Sequence, residues 1–204
     1  MIDISLERVK QLRDMTGAGM MDCKKALEDA QGDLDRAVVI LRERGIAKAA
    51  KRADRVTSNG VVEAYLHRTS EDYPPQIGAL IELNCESDFV AKGTDFRTLA
   101  RELAMHVAAA APRWVSRDEV PSELVEQERT LYQLRAEQDG KPVQAIPKIV
   151  AGQLEAFYKD SCLLDQPYMR DPATPVRELV ASAVAKLQEN ITVRRFQRFS
   201  IKEG

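Results

Sequence analysis

Between Thr94 and Pro112 the chain carries Phe96, Leu99, Ala100, Leu103 and Val107, spaced i, i+3, i+4, i+7 and i+11. That spacing gathers five apolar side chains on one face of a helix. So continuous a stripe must be buried against another layer. The flanking sequence indicates a sheet. Asn59-Gly60 opens a run containing Val61, Val62, Tyr65 and Leu66, and Ile77 to Asn84 forms a second run of strand composition. Pro74-Pro75 lies in the connection and nothing helical fits between the runs, so the economical arrangement is a hairpin. The closing segment, Ile191 to Ile201, alternates as a strand but slips near Arg195 and Phe196, as a β-bulge would cause. The expected class is α+β, with a small antiparallel sheet of about three strands packed with helices. Two strands come from the beginning of the core and one from its end. Free edges in so small a sheet invite pairing or stacking with a second subunit.

Further helices follow from the same periodicity. Ser116 and Glu119 have capping-box spacing. Ser122 to about Gln138 forms a helix through Leu124, Leu131 and Leu134, with Val125 and Tyr132 beside them. Pro147 opens the next helix, whose buried side is Val150, Leu154 and Phe157. Thr174-Pro175 starts the last, with Val176, Leu179, Val180, Ala183, Val184 and Leu187 as its stripe.

The first 46 residues read as a separate three-helix bundle. Ile4 (or Leu6), Val9, Leu12 and Met15 form the first helical face, which stops at Thr16-Gly17-Ala18-Gly19. A second short helix carries Met20, Met21, Cys23, Ala26, Leu27 and Ala30. Gly32 serves as a left-handed cap and Asp33 as an N-cap. The third helix runs through Leu34, Ala37, Val38 and Leu41 to Gly45. The expected organisation is 1–46 helical module, 47–58 basic linker and 59–204 core. The linker holds Lys48, Lys51, Arg52 and Arg55, as a solvated charged face or as a contact for RNA or an acidic partner.

The bulk numbers exclude several classes of function. Thirty basic residues against 32 acidic ones leave a net charge of −2, with no global pull toward phosphate backbones or anionic membranes. Direct nucleic-acid binding and membrane association are therefore not expected. Charged residues interrupt the N-terminus from Asp3, which does not suit a signal or transit peptide. No apolar run approaches the roughly 20 residues of a membrane helix. Cys23, Cys85 and Cys162 are scattered and odd in number, which suits a reducing, cytosolic compartment better than a disulfide framework or a zinc site. His67 and His106 are the two histidines, each read as structural. No nucleophile elbow, zinc-helix or phosphate-loop motif is present. Glu82, Glu86 and Asp88 could hold Mg²⁺, though a solvated loop is the simpler account. No cofactor is expected, and no covalent chemistry.

Two segments remain. In Met15 to Leu27, Met20 and Met21 beside a glycine turn either fill the core of a small bundle or form an adaptable binding patch. In Leu83 to Lys92, a strand gives way to a polar turn. Either Ser87 or Asp88 caps a helical turn with Phe89 buried, or Phe89 is an exposed aromatic anchor.

These segments carry a family resemblance. TGAGMMDCKKAL followed by GDLDRAVVILRERG resembles the N-terminal module of translation elongation factor Ts. NCESDFVAK is similar to that family's core signature, usually written with TDFV. GVVEAYLH, AMHVAAAAP, Gly140 to Leu164 and VRRFQRFSI match family patterns too, so the resemblance spans essentially the whole chain. It implies a guanine-nucleotide exchange factor for elongation factor Tu, binding that protein GDP-loaded and nucleotide-free. The N-terminal module is implied to be a ubiquitin-associated-like bundle docking through Leu12, Met20 and Met21. The signature turn, Ser87, Asp88, Phe89 and Val90, is implied to contact the partner, with Asp88 and Phe89 intruding beside the Mg²⁺ and phosphate site so that GDP leaves. Ser87 replaces the usual threonine, keeping the hydroxyl and losing a methyl group. The length leaves room for one core subdomain, as in the short family members that form homodimers. The alternative is a protein- or peptide-binding scaffold without exchange activity.

Overall fold

A computed structural model describes residues 4–201; Met1 to Asp3 of the charged N-terminus and Lys202 to Gly204 of the expected core lie outside the described residues. Eight α-helices and five strands are found there: α1 (Leu6–Thr16), α2 (Met20–Asp29), α3 (Leu34–Ala50), β1 (Asn59–His67), β2 (Ile77–Cys85), α4 (Asp88–Lys92), α5 (Thr94–Ala110), α6 (Ser122–Gln138), α7 (Ile146–Ser161), β3 (Pro167–Tyr168), β4 (Asp171–Pro175), α8 (Val176–Leu187) and β5 (Ile191–Ser200). β1, β2 and β5 form one sheet in that order, and β3 pairs with β4 in a small antiparallel hairpin. The class is α+β, as the periodicities indicate. None of the described helices is long and apolar enough to cross a membrane.

The chain divides into two compact units. One comprises residues up to Glu63, Glu82–Arg101 and Glu178–Val193; the other comprises Ala64–Ile81, Glu102–Arg177 and the residues from Arg194 onward.

In the first unit, α1, α2 and α3 enclose Val9, Leu12, Cys23, Ala26, Leu27, Ala30 and Ala37, with Ile4, Met20, Leu34, Val38 and Leu41 packed around them. Ile4, not Leu6, supplies the first inward position; Leu6 and Met15 are exposed. Each helix boundary has a local cause. The Ser5 side chain accepts from the Arg8 N–H, and Gly17, at φ +66°, returns its N–H to the Arg13 carbonyl. Gly32 sits at φ +85° and the Asp33 carboxylate caps α3 through the Arg36 N–H. The expected stop at Gly45 is not observed, and α3 continues to Ala50. Gly45 is buried against Ala185 of α8, so here the missing side chain serves close approach and not a left-handed turn. Arg42 pairs with Glu178 on the same side. Of the basic residues after it, Lys48 pairs with Asp22 at 2.8 Å, Arg52 donates to Gln188, and Arg55 reaches Glu86.

The second unit contains the α6–α7 hairpin. Ala136 of α6 joins Ile146, Val150 and Leu154 of α7, flanked by Val125 and Tyr132. The Leu131 and Leu134 face expected to be inward is 39% and 49% exposed. The row of α6 that packs on α7, with Ala136, Val125 and Tyr132, is the buried one, and Leu131 and Leu134 lie off it. Ser116 makes no side-chain cap; Glu119 instead accepts from the Val115 N–H. The short β3–β4 hairpin went unforeseen because two- and five-residue strands carry too little alternation to register.

His106 and Gln166 close the interior of this unit. His106 Nε2 lies 3.0 Å from Gln166 Oε1, and its Nδ1 accepts the Met169 N–H at 3.3 Å. That pairing is the neutral imidazole protonated at Nε2, assigned from the hydrogen bonds. The Gln166 amide is used fully, donating to the Ala110 and Asp160 carbonyls. Burial holds the His106 imidazole below its ordinary value of 6.5, opposed by the hydrogen bond to Gln166. The unfolded chain therefore takes up this proton first as pH falls. Stability is full above about pH 6.5 and is lost as pH drops toward the lower folded value. Urea midpoints at pH 7.5 and 5.5 should show a loss in the native chain that is smaller, by up to about 1 kcal/mol, in His106→Gln. An equal loss in both would remove His106 as the cause.

Candidate functional site

The segment Asn84 to Gly93 leaves a sheet strand and must turn before α5, which strands the backbone groups of Glu86 and Ser87 outside any ladder. The Glu86 and Ser87 N–H groups both donate to Glu189 Oε2, at 3.1 and 3.0 Å, and the Ser87 hydroxyl donates to Glu189 Oε1. The same hydroxyl accepts the Val90 N–H at 3.3 Å and so caps the single-turn helix α4. Asn59 Nδ2 donates to the Glu86 carbonyl at 2.8 Å, and the Cys85 thiol donates to the Ser87 carbonyl at 3.2 Å. The Glu86 carboxylate accepts the Asn190 N–H at 2.6 Å, while the Asn190 amide donates to the Ala53 and Arg55 carbonyls. Asn190 is 4% exposed. Three distant parts of the sequence thus meet at one turn, each satisfying another's polar groups.

On this support α4 sorts its residues cleanly. Val90 and Ala91 are buried at 8% and 7% exposure, whereas Phe89 is 84% exposed. Asp88 faces outward beside Lys92, four residues on, at 2.6 Å, and that ammonium holds its carboxyl below the usual carboxylate range. The two sequence alternatives are therefore divided: Ser87 caps a helical turn, as the buried-Phe account required, yet Phe89 is exposed. Phe89 has no role in folding that its burial could explain. Glu82, Glu86 and Asp88 turn to separate partners, with Glu82 accepting from the Asn84 amide. Among the described residues no cluster of His, Cys, Asp and Glu is arranged to hold a metal ion.

The N-terminal candidates separate in the same way. Met21 is 69% exposed, Met20 is half-buried at the rim of the bundle core, and Leu12 is fully buried within it. Leu12 can shape that surface only from behind. Met15, read as a core position, is 57% exposed at the other end of the glycine turn. The turn itself is fastened from inside: Thr16 Oγ1 accepts the Ala18 N–H, and the buried Cys23 thiol points to the Ala18 carbonyl at 3.6 Å. Burial raises the thiols of Cys23, Cys85 and Cys162 above their ordinary value, and all three are free.

Glu189 and Asn190 were missed by sequence reasoning. A polar pair between a helix and a strand looks like any loop, and no local pattern connects it to a turn about a hundred residues earlier.

A family model described as elongation factor TS matches residues 7–201. The chain is 51% identical over 204 residues to the elongation factor Ts of Frankia alni, with both chains covered in full. It is 50% identical over 201 residues to that of Acetivibrio thermocellus, covering 98% of this chain and 91% of the relative. With the Carboxydothermus hydrogenoformans protein the identity is 49% over 201 residues, covering 98% and 90%.

The exposure of Phe89 has a direct consequence for stability. Phe89→Ala should shift the urea unfolding free energy by less than about 0.5 kcal/mol, as surface substitutions do. A loss of about 3 kcal/mol, typical of a core phenylalanine, would show that Phe89 is buried in solution.

Proposed function

The chain belongs to the elongation factor Ts family, and on that premise we propose that it serves translation elongation as the guanine-nucleotide exchange factor of elongation factor Tu. It binds that partner with GDP and without nucleotide, in the cytoplasm. It makes and breaks no covalent bond. The observation that carries the mechanism is Phe89, 84% exposed on a turn whose Glu86 and Ser87 N–H groups and Ser87 hydroxyl are engaged.

Exchange needs a ligand that binds the GDP-releasing state of its partner more tightly than the GDP-holding state, because only differential affinity shifts an equilibrium. An exposed phenylalanine presented by a braced turn suits that task. Burying its ring in the partner contributes roughly 2 to 3 kcal/mol, and the braced turn cannot yield as readily as a loose loop would. Asp88 rides beside it as a carboxylate. In our reading the pair intrudes near the Mg²⁺ and phosphate site and displaces the groups that hold GDP. Reciprocity follows: GDP weakens the hold of this protein as much as this protein weakens GDP. Ser87 and Val90 set the turn from beneath. The ubiquitin-associated-like module 1–46 docks separately through Met20 and Met21 with Leu12 behind them, and 47–58 joins it to the exchange core 59–204.

We also read the protein as a homodimer. Leu66, Leu80 and Phe199, on β1, β2 and β5, are 60%, 45% and 65% exposed, and Leu66 lies over Gly78, whose missing side chain leaves it room. A solvent-facing apolar sheet surface of this kind suits a second copy. Sedimentation at micromolar concentration should give twice the chain mass for the native protein and the monomer mass for Leu66→Glu/Phe199→Glu; a native monomer throughout would rule the dimer out.

The decisive test is the release rate of a fluorescent GDP from elongation factor Tu. The native chain should accelerate it, and Phe89→Ala should lose roughly 30- to 150-fold of that acceleration, matching the burial energy of one ring. Tight binding without acceleration would instead establish a scaffold.

A further inference from the structure

We infer that Glu189, backed by Asn190, is a positioning residue for exchange: its carboxylate fixes the turn from which Asp88 and Phe89 project. This rests on the exchange reading above. The carboxylate takes the Glu86 and Ser87 N–H groups on one oxygen and the Ser87 hydroxyl on the other. These are three charge-assisted bonds onto two consecutive residues, immediately before the residues that project. The remaining bonds at the turn do not replace them. Asn59 and Cys85 hold carbonyl groups, and the Ser87–Val90 cap lies within the turn itself. Without the carboxylate, two N–H groups lose their acceptor and the turn is free to rotate about its carbonyl anchors.

Asn190 extends the effect. Its N–H is bound by Glu86, and its amide holds the Ala53 and Arg55 carbonyls of the segment that follows α3. Arg55 closes the circuit by pairing with Glu86 at 3.4 Å. The segment leading from the N-terminal bundle and the Phe89 turn are therefore referred to one pair of residues. A wedge displaces a neighbouring site only if its own mounting is stiff, so misplacement should lower the rate of the bound complex while leaving docking largely intact.

The experiment measures GDP release from elongation factor Tu across a concentration series of native chain, Glu189→Ala, Glu189→Gln and Phe89→Ala, with a thermal melt of each. Glu189→Ala should lower the release rate at saturation by roughly tenfold or more and leave the half-saturating concentration within about threefold. Glu189→Gln, which keeps an oxygen for the two N–H groups, should recover much of that rate. Amide hydrogen exchange of the free protein gives an independent readout: the Glu86 and Ser87 N–H groups should be protected in the native chain and lose that protection in Glu189→Ala, while β2 amides keep theirs. Should Glu189→Ala not fold, Ser87→Ala removes one of the three bonds and Ser87→Thr retains it; the first should slow release and the second should not. If the native chain accelerates release and Phe89→Ala does not, yet Glu189→Ala or Ser87→Ala matches the native rate at saturation, this inference alone is overturned. If the native chain gives no acceleration, the exchange reading falls and takes the inference with it.

Discussion

A strand that ends in a tight turn leaves backbone N–H groups with no ladder to join, and such groups cannot be buried without acceptors. In this protein that constraint is met at Glu86 and Ser87 by the Glu189 carboxylate, which lies just before the last strand. Much else follows from the choice of acceptor. Glu189 can reach the turn because α8 ends at Leu187, and β5 begins at Ile191, joining the sheet next to β2. Asn190, between them, is nearly sealed from solvent with its amide spent on two carbonyls. Buried polar groups of this kind specify one arrangement, since a slipped one would leave donors and acceptors unpaired in a low-dielectric setting.

The departure at Ser87 is intelligible from the same network. Its hydroxyl donates to Glu189 and accepts from Val90, so both roles available to it in this geometry are occupied. Threonine offers the same oxygen and differs by a methyl group. Nothing in the hydrogen bonding distinguishes the two residues, whereas alanine or valine would break the cap and one bond to the carboxylate together.

What could be read from sequence was whatever repeats along the chain. The α5 stripe from Phe96 to Val107, the bounds of α6 and the proline at the start of α7 all follow from periodicity or capping, and the observed helices agree. The failures arise where a third body decides. Gly45 has the look of a helix terminus, but α8 lies against it and the helix runs on. Leu131 and Leu134 keep helical spacing with α6 yet face solvent, because α7 covers the neighbouring row. Local composition at residues 83–92 could support a buried or an exposed Phe89, and the clamp that settles its surroundings is drawn from residues 189 and 190.

The exposed and buried members of the candidate set divide along a physical line. Phe89 and Met21 are solvent-facing apolar side chains that folding does not use. Val90 of the second segment is buried, and Leu12 is buried in the bundle core against which Met20 packs. Each of these two segments therefore has a surface residue and a buried one, and in each a buried cysteine thiol directs its hydrogen toward a turn carbonyl. Under the proposed exchange function the turn has to resist the force it applies, and apolar anchoring together with the hydrogen bonds to Glu189 supplies that resistance. The exchange function proposed above asks for stiffness at these two turns and for no reactive group.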